Sequence, residues 1–268
     1  MRAMTFSELS RPWRGAAHPS PRGAVVLLHG FTASPQSVRP WAEALDARGW
    51  DVTVPLLPGH ATDERDMART AWTAWFETAR EAVSTAAQRH GTVGLGGLSM
   101  GGALALACAA DADLAPRIGA LALVNPAVAL MHRWQDALAP ALALLPVSLP
   151  AIAGDIGRPG LREEAYARTP LRAVGQLHRL QRHTLAHLGE VTAPLLLATS
   201  TVDHVVPVRS SDLIASRVRG PVERLPLTRS YHVATLDEDA DLIAQATDRH
   251  LARYLEVSGD TGSDGGSR

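Results

Sequence analysis

Ser99, Asp203 and His232 are the residues of this 268-residue chain whose types and surroundings suit nucleophilic catalysis. A serine hydroxyl attacks a carbonyl only when a base removes its proton, and a third group must orient that base. Ser99 stands in Gly97-Leu98-Ser99-Met100-Gly101-Gly102, where an apolar run meets a small-residue helical run. Small residues two positions either side let the backbone double back and present the hydroxyl at the end of a strand. A structural glycine turn with an incidental serine has the same letters, so the placement carries the weight.

The 26 residues counted as Lys or Arg are all Arg. Without lysine there is no Schiff-base chemistry, no Walker-type phosphate loop and no Ser-Lys dyad. Histidine is the remaining base for Ser99, and the chain has 11. His232 falls in the short loop Ser230-Tyr231-His232, after a predicted strand at 222–225. Asp203 falls in a loop at 200–207, after a predicted strand at 195–199. The order Ser, Asp, His, each beyond the carboxyl end of a strand, matches the α/β-hydrolase triad. Open α/β sheets also build their sites at those strand ends. Asp237, Asp239 and Asp241 are nearer His232 in sequence, but they open a predicted helix, where carboxylates favour the dipole.

An oxyanion formed at Ser99 needs two donors. The backbone N–H of Met100 follows the serine directly, and the loop His29-Gly30-Phe31-Thr32 offers the N–H of Phe31. His29 and His60 read as loop-fixing residues, with a second general base as the alternative for His29. His204 beside Asp203 reads as partly exposed. His183 and His187 are spaced i, i+4 as two metal ligands would be, but no third ligand stands at a convincing offset. A solvated or partly packed helix face is the reading for that pair.

The elements that position these residues alternate. Apolar runs at Ala24–Leu28, Asp51–Val54, 92–98, Ile118–Val124, 195–199 and 222–225 predict strands. Amphipathic or small-residue runs at 37–48, 70–90, Met100–Ala110, 208–217 and 236–255 predict helices. The segment at 57–67 reads as a loop. Strands alternating with helices argue a parallel α/β sheet covered on both faces, within a single domain spanning 1–268. Between about 126 and 190 the rhythm breaks with no clear strand. A cap or lid insertion at 127–190 is expected there, and a disordered Gly/Ser/Asp tail at 258–268.

Composition sets the remaining bounds. The chain is 46% apolar and 20% charged with a net charge of −1, which gives no reason to expect nucleic acid or an acidic membrane as partner. The single cysteine, Cys108, excludes an intrachain disulfide and a Cys-based zinc cluster, and reads as a buried inert thiol. An uncharged stretch at 137–154 approaches membrane-span length, but Pro140, Pro146 and Pro150 interrupt it, so no stable membrane insertion is expected. The first 23 residues hold no apolar signal region, and a cytoplasmic location is expected.

With these residues in place, the chain resembles the bacterial α/β-hydrolase carboxylesterases, most closely the monoacylglycerol lipases. The resemblance is carried by His29-Gly30-Phe31-Thr32, Gly59-His60, Gly97-Leu98-Ser99-Met100-Gly101-Gly102, Asn125-Pro126-Ala127, Asp203-His204-Val205-Val206-Pro207 and the run from Ser230 to Asp237. It covers about residues 24 to 256. It implies an α/β-hydrolase fold with a mostly parallel sheet and a cap, and the triad Ser99, Asp203 and His232. Phe31 and Met100 would supply the oxyanion N–H groups. By the same resemblance Glu163 matches a cap glutamate that contacts the glycerol end of the substrate, with a solvent-exposed helix carboxylate as the alternative. Ile152 matches an apolar cap residue limiting the pocket, and Asn125 is counted as substrate-binding. The implied substrate is a small ester with an acyl chain, handled without cofactor or metal by a monomer or homodimer. Thioesterases, C–C hydrolases and cofactor-free haloperoxidases share this triad, and a non-catalytic ligand-binding domain shares the fold.

Overall fold

The computed structural model describes residues 6–129, 145–151 and 154–255. Its centre is a sheet of β1 (Trp13–Arg14), β2 (Ala24–Leu28), β3 (Asp51–Val54), β4 (Val93–Leu98), β5 (Ile118–Val124), β8 (Leu195–Ser200) and β9 (Val222–Leu227). The spatial order is β1-β3-β2-β4-β5-β8-β9, with β1 antiparallel to β3 and every other pair parallel. The chain leaves β2 for β3 on one side and returns to β4 on the other, so β2 and β4 flank a topological switch point. Open α/β sheets leave a crevice there, because their connections diverge to opposite faces. Leu28 pairs with Gly97 at the carboxyl ends of those strands, which brings the loop after β2 beside the turn that carries Ser99.

Helices cover both faces, which explains why β2, β4 and most of β5 are buried along their whole length. On one face lie α1 (Arg39–Asp46) and α7 (Ala240–Leu255), which bury Trp41, Leu45, Ile243 and Leu251. On the other lie α3 (Trp72–His90), α4 (Met100–Ala110) and α6 (Arg209–Arg217). Helix α3 buries Trp75, Ala79, Val83 and Ala87, a four-residue repeat that lays one stripe on the sheet. Helix α4 buries nearly every residue, Cys108 included; burial there pushes the thiol pKa well up, so it stays protonated.

Strand β5 pairs directly with β8, Leu121 against Leu195, and the described residues between them contribute nothing to the main sheet. Their described parts form a small antiparallel pair, β6 (Ser148–Pro150) with β7 (Arg168–Pro170), followed by α5 (Leu171–His187) packed on α4. Strands of three residues with a proline in each show no alternation in the sequence, which is why 126–190 reads as strandless. The segment at 57–67 also differs from expectation: α2 (Glu64–Arg69) begins inside it. Asp63 caps that helix by accepting from the N–H groups of Arg65 at 2.6 Å and Asp66 at 3.1 Å. The predicted helix at 37–48 opens as a 3-10 turn, Pro35–Val38, and the one at 236–255 starts only at Ala240. Ile152 and the tail at 258–268 lie outside the described residues.

Candidate active site

Ser99 sits at the hinge between β4 and α4 with φ +55° and ψ −114°, outside the regions that L-residues favour. Such a backbone costs about 1–3 kcal/mol and persists only when its surroundings fix it. Here Ser99 N donates to Val124 O at 3.0 Å, and Ser99 O accepts from Ala127 N at 3.0 Å and Ala103 N at 3.2 Å. The tightness of the bend explains Gly101: a Cβ added there would lie 2.1 Å from Leu28 O and 2.8 Å from His29 O. The side chain of Ser99 thus emerges at the positive end of α4, 7% exposed.

Asp203 and His232 are brought together. Asp203 Oδ2 lies 2.8 Å from His232 Nδ1, with the side chains 3% and 8% exposed. An ionised carboxylate only accepts, so Nδ1 carries the proton and Nε2 keeps its lone pair. The other carboxylate oxygen of Asp203 accepts from Val205 N at 2.8 Å and Val206 N at 2.7 Å, which fixes its plane. Ser99 Oγ and His232 make no hydrogen bond to each other among the described residues; catalytic contacts of this kind often tighten only with substrate bound.

The loop after β2 lies against the serine. A Cβ added to Gly30 would stand 3.7 Å from Ser99 Cβ. Among the described residues, no protein group accepts from the N–H of Phe31 or of Met100, the first residue of α4. The loop is held by Thr32, at φ +61°, which donates from Oγ1 to Phe31 O at 2.6 Å and accepts at its own carbonyl from Tyr166 N at 3.0 Å. Beneath it, His29 donates from Nδ1 to Gly30 O at 3.0 Å and accepts at Nε2 from Leu57 N at 3.1 Å. That uses both nitrogens of one neutral tautomer and leaves none for a base at Ser99. Burial, together with the neighbouring His60 ring at 4.9 Å, holds the His29 pKa well below the usual imidazole range. His60 donates to Pro58 O at 3.1 Å, and burial lowers its pKa to about 4.

Asn125 is buried and sits at φ +46°, a conformation Asn tolerates. Its Nδ2 donates to His232 O at 2.8 Å and Ser200 Oγ at 2.9 Å, and its Oδ1 accepts from Ser200 N at 2.8 Å. Both ends of the amide are used within the protein. The residue expected to bind substrate is therefore placed to tie β5, β8 and the histidine loop together.

Glu163 belongs to a loop rather than a helix, and accepts at Oε2 from Gly154 N at 3.0 Å. Burial raises its pKa, offset by the Gly154 N–H and by the electrostatic influence of His232. Asp237, expected to serve the helix dipole, instead accepts from four backbone N–H groups: Gly157 at 2.7 Å, and Arg158, Tyr231 and Glu238 at 2.9 Å. His204 is exposed and lies 2.8 Å from Asp155, a residue to which the sequence drew no attention. The rings of His183 and His187 lie 4.4 Å apart, tilted by 36°, beside Trp72, and the described residues contain no group of three potential metal ligands.

A family model described as serine aminopeptidase (S33) matches residues 19–239. A thermostable monoacylglycerol lipase of Bacillus sp. strain H-257 is 36% identical over 238 residues, which is 86% of this chain and 90% of that protein. A carboxylesterase of Bacillus subtilis strain 168 is 22% identical over 83% of this chain and 89% of its own length. The solved structure of a metagenome-derived lipolytic enzyme superposes with a TM-score of 0.86 at 32% identity, covering 92% of this chain and 99% of that one. The monoacylglycerol lipase of Paleococcus ferrophilus shares the fold, with a TM-score of 0.75 at 17% identity over 90% of this chain and 98% of its own.

Proposed function

The chain belongs to the serine aminopeptidase (S33) family of α/β-hydrolases, and from that premise we propose that it hydrolyses carboxylic esters, monoacylglycerols foremost, through an acyl-enzyme on Ser99. In this reading Ser99 attacks the ester carbonyl while His232 Nε2 takes its proton. Asp203 holds the imidazole in the tautomer that leaves Nε2 free, and the N–H groups of Phe31 and Met100 receive the oxyanion. His232 then passes the proton to the leaving alcohol, and water releases the acyl group by the same route. The observation that carries the reading is the Asp203–His232 bond at 2.8 Å, which sets the proton on Nδ1 and leaves Nε2 free to act as the base. The 36% identity to a monoacylglycerol lipase across most of both chains supports the substrate class.

Residues 127–190 are read as a cap over the serine, with Glu163 meeting the polar end of the substrate. Among the described residues no helix is long and apolar enough to cross a membrane. A cytoplasmic monomer or homodimer completes the proposal. The test compares hydrolysis of 1-monolauroylglycerol, a short alkyl ester, an acyl-CoA, a β-diketone and an aminoacyl nitroanilide by the chain and by Ser99→Ala. Turnover fastest on the monoacylglycerol, and lost in Ser99→Ala, is expected. Preference for another class, or turnover that survives the substitution, would replace this reading.

A further inference from the structure

Asp155 touches both loops that bear the proposed base and its partner, although it lies in the segment between β6 and β7. Its Oδ2 accepts from His232 N at 3.2 Å and from His204 N at 3.2 Å. Its Oδ1 lies 2.8 Å from His204 Nδ1, and its own carbonyl accepts from Val233 N at 3.0 Å. The carboxylate is 13% exposed and its bond to His232 N is part-buried, whereas its bonds to His204 lie at the surface. His204 directly follows Asp203 in the chain. One side chain therefore holds the main chain of His232 and the main chain next to Asp203 together.

The opposite side of His232 is held from the sheet, where its carbonyl accepts from Asn125 Nδ2. The imidazole thus hangs from a backbone gripped on its N–H by the inserted segment and on its C=O by the sheet. The grip is reciprocal. Asp237, downstream of His232, accepts from the N–H groups of Gly157 and Arg158, two and three residues after Asp155. Two carboxylates pointing in opposite directions close a ring through the inserted segment and the histidine loop.

We propose that Asp155 is a positioning residue for ester hydrolysis: it sets the registry of His232 against Asp203, and so makes the base depend on the seating of residues 154–158. It touches no reacting atom and acts through the backbone. The inference rests on the reading of Ser99, Asp203 and His232 as the catalytic set. Displacing a base by about an ångström costs on the order of a hundredfold in rate without weakening the binding of a substrate that does not touch the displaced group. That split between kcat and KM separates positioning from a loss of fold or of substrate contact.

The experiment measures kcat and KM for p-nitrophenyl butyrate, the rate constant for labelling of Ser99 by a fluorophosphonate, and Tm, in the full chain and three variants. In Asp155→Ala, kcat and the labelling rate are expected to fall together by about 10- to 100-fold, with KM within about threefold. Asp155→Asn, whose amide oxygen still accepts from both N–H groups, is expected within about threefold of the parent. His204→Ala, at an exposed position where folding is safe, removes one anchor of the carboxylate; a loss in kcat of about three- to tenfold at unchanged Tm is expected. This last variant decides the matter if Asp155→Ala does not fold. Unchanged kcat and labelling in Asp155→Ala, equal damage in Asp155→Asn, or an unchanged kcat in His204→Ala would each overturn the proposal. Failure of the parent chain to be labelled at Ser99 would instead remove the catalytic reading beneath it.

Discussion

Asn125 and His232 are joined across 107 residues of sequence by a 2.8 Å hydrogen bond from the amide of one to the carbonyl of the other. The same amide group holds Ser200 at the end of β8. A single buried side chain thus fixes the distance between the last residues of β5 and β8 and the loop that carries the imidazole. Asn125→Ala is expected to lower kcat by about tenfold or more with little change in KM, and to lower stability by about 1–3 kcal/mol for the buried groups left unpaired. A substrate-binding role would instead raise KM at unchanged kcat, and steady-state kinetics distinguish the two.

Asp203→Asn keeps the size of the side chain but presents either an oxygen or an NH2 to His232. Since the main-chain N–H groups of Val205 and Val206 require an acceptor, the oxygen turns to them and the NH2 faces His232 Nδ1. The imidazole proton is then driven onto Nε2, where it cannot take a proton from Ser99. We expect kcat near neutral pH to drop by about 10³- to 10⁴-fold with the fold intact, measured against circular dichroism of the same samples.

Backbone strain at Ser99 predicts that activity and stability part company. Glycine tolerates the φ of +55° that serine and alanine do not, so Ser99→Gly should be inactive yet more stable than Ser99→Ala. A relief of about 1 kcal/mol corresponds to a rise in Tm of roughly 2–4 °C in a domain of this size. Equal melting temperatures for the two variants would show that the strain is not stored in the backbone.

His29 and His60 lie buried beneath the oxyanion loop in neutral form, and this gives stability a defined pH dependence. Their folded pKa values are depressed, His60 to about 4 from an ordinary 6.5. Below pH 6.5 the unfolded chain takes up protons that the folded chain refuses, so stability falls as pH drops from 6.5 toward 4. For His60 alone the full loss is about 3 kcal/mol. Denaturant unfolding at intervals over that range should show the slope, and His60→Gln should reduce it to the contribution of His29.

The Gly101 contact makes a sharper steric prediction. A methyl group at Gly101 meets two carbonyl oxygens of β2 and its loop, backbone that cannot rotate away. Gly101→Ala should therefore destabilise by about 1–3 kcal/mol or more and displace the donors beside Phe31. Gly30→Ala, whose added carbon finds ordinary contact distance, should fold with a far smaller loss, as thermal melts of the two variants would show.

Much of this was legible in the chain by itself. The strands β2 through β9 of the main sheet and their covering helices announce themselves because apolar runs and amphipathic repeats are local properties of a segment. The family follows from short strings whose residues must be adjacent to work, such as the glycines about Ser99. The histidine base is likewise a matter of composition, since the chain has no lysine. What the sequence could not reveal are partnerships formed by closure of the chain. Asn125 reads as one letter of a motif until its amide is seen to be used up by Ser200 and His232. Asp155 carries no local signal at all, and Asp237 reads as a helix-start carboxylate until it is found binding the N–H groups of residues 157 and 158. Hydrogen-bond partners 75 to 107 residues away are chosen by where the sheet and the inserted segment bring backbone groups, and no periodicity in the sequence records that choice.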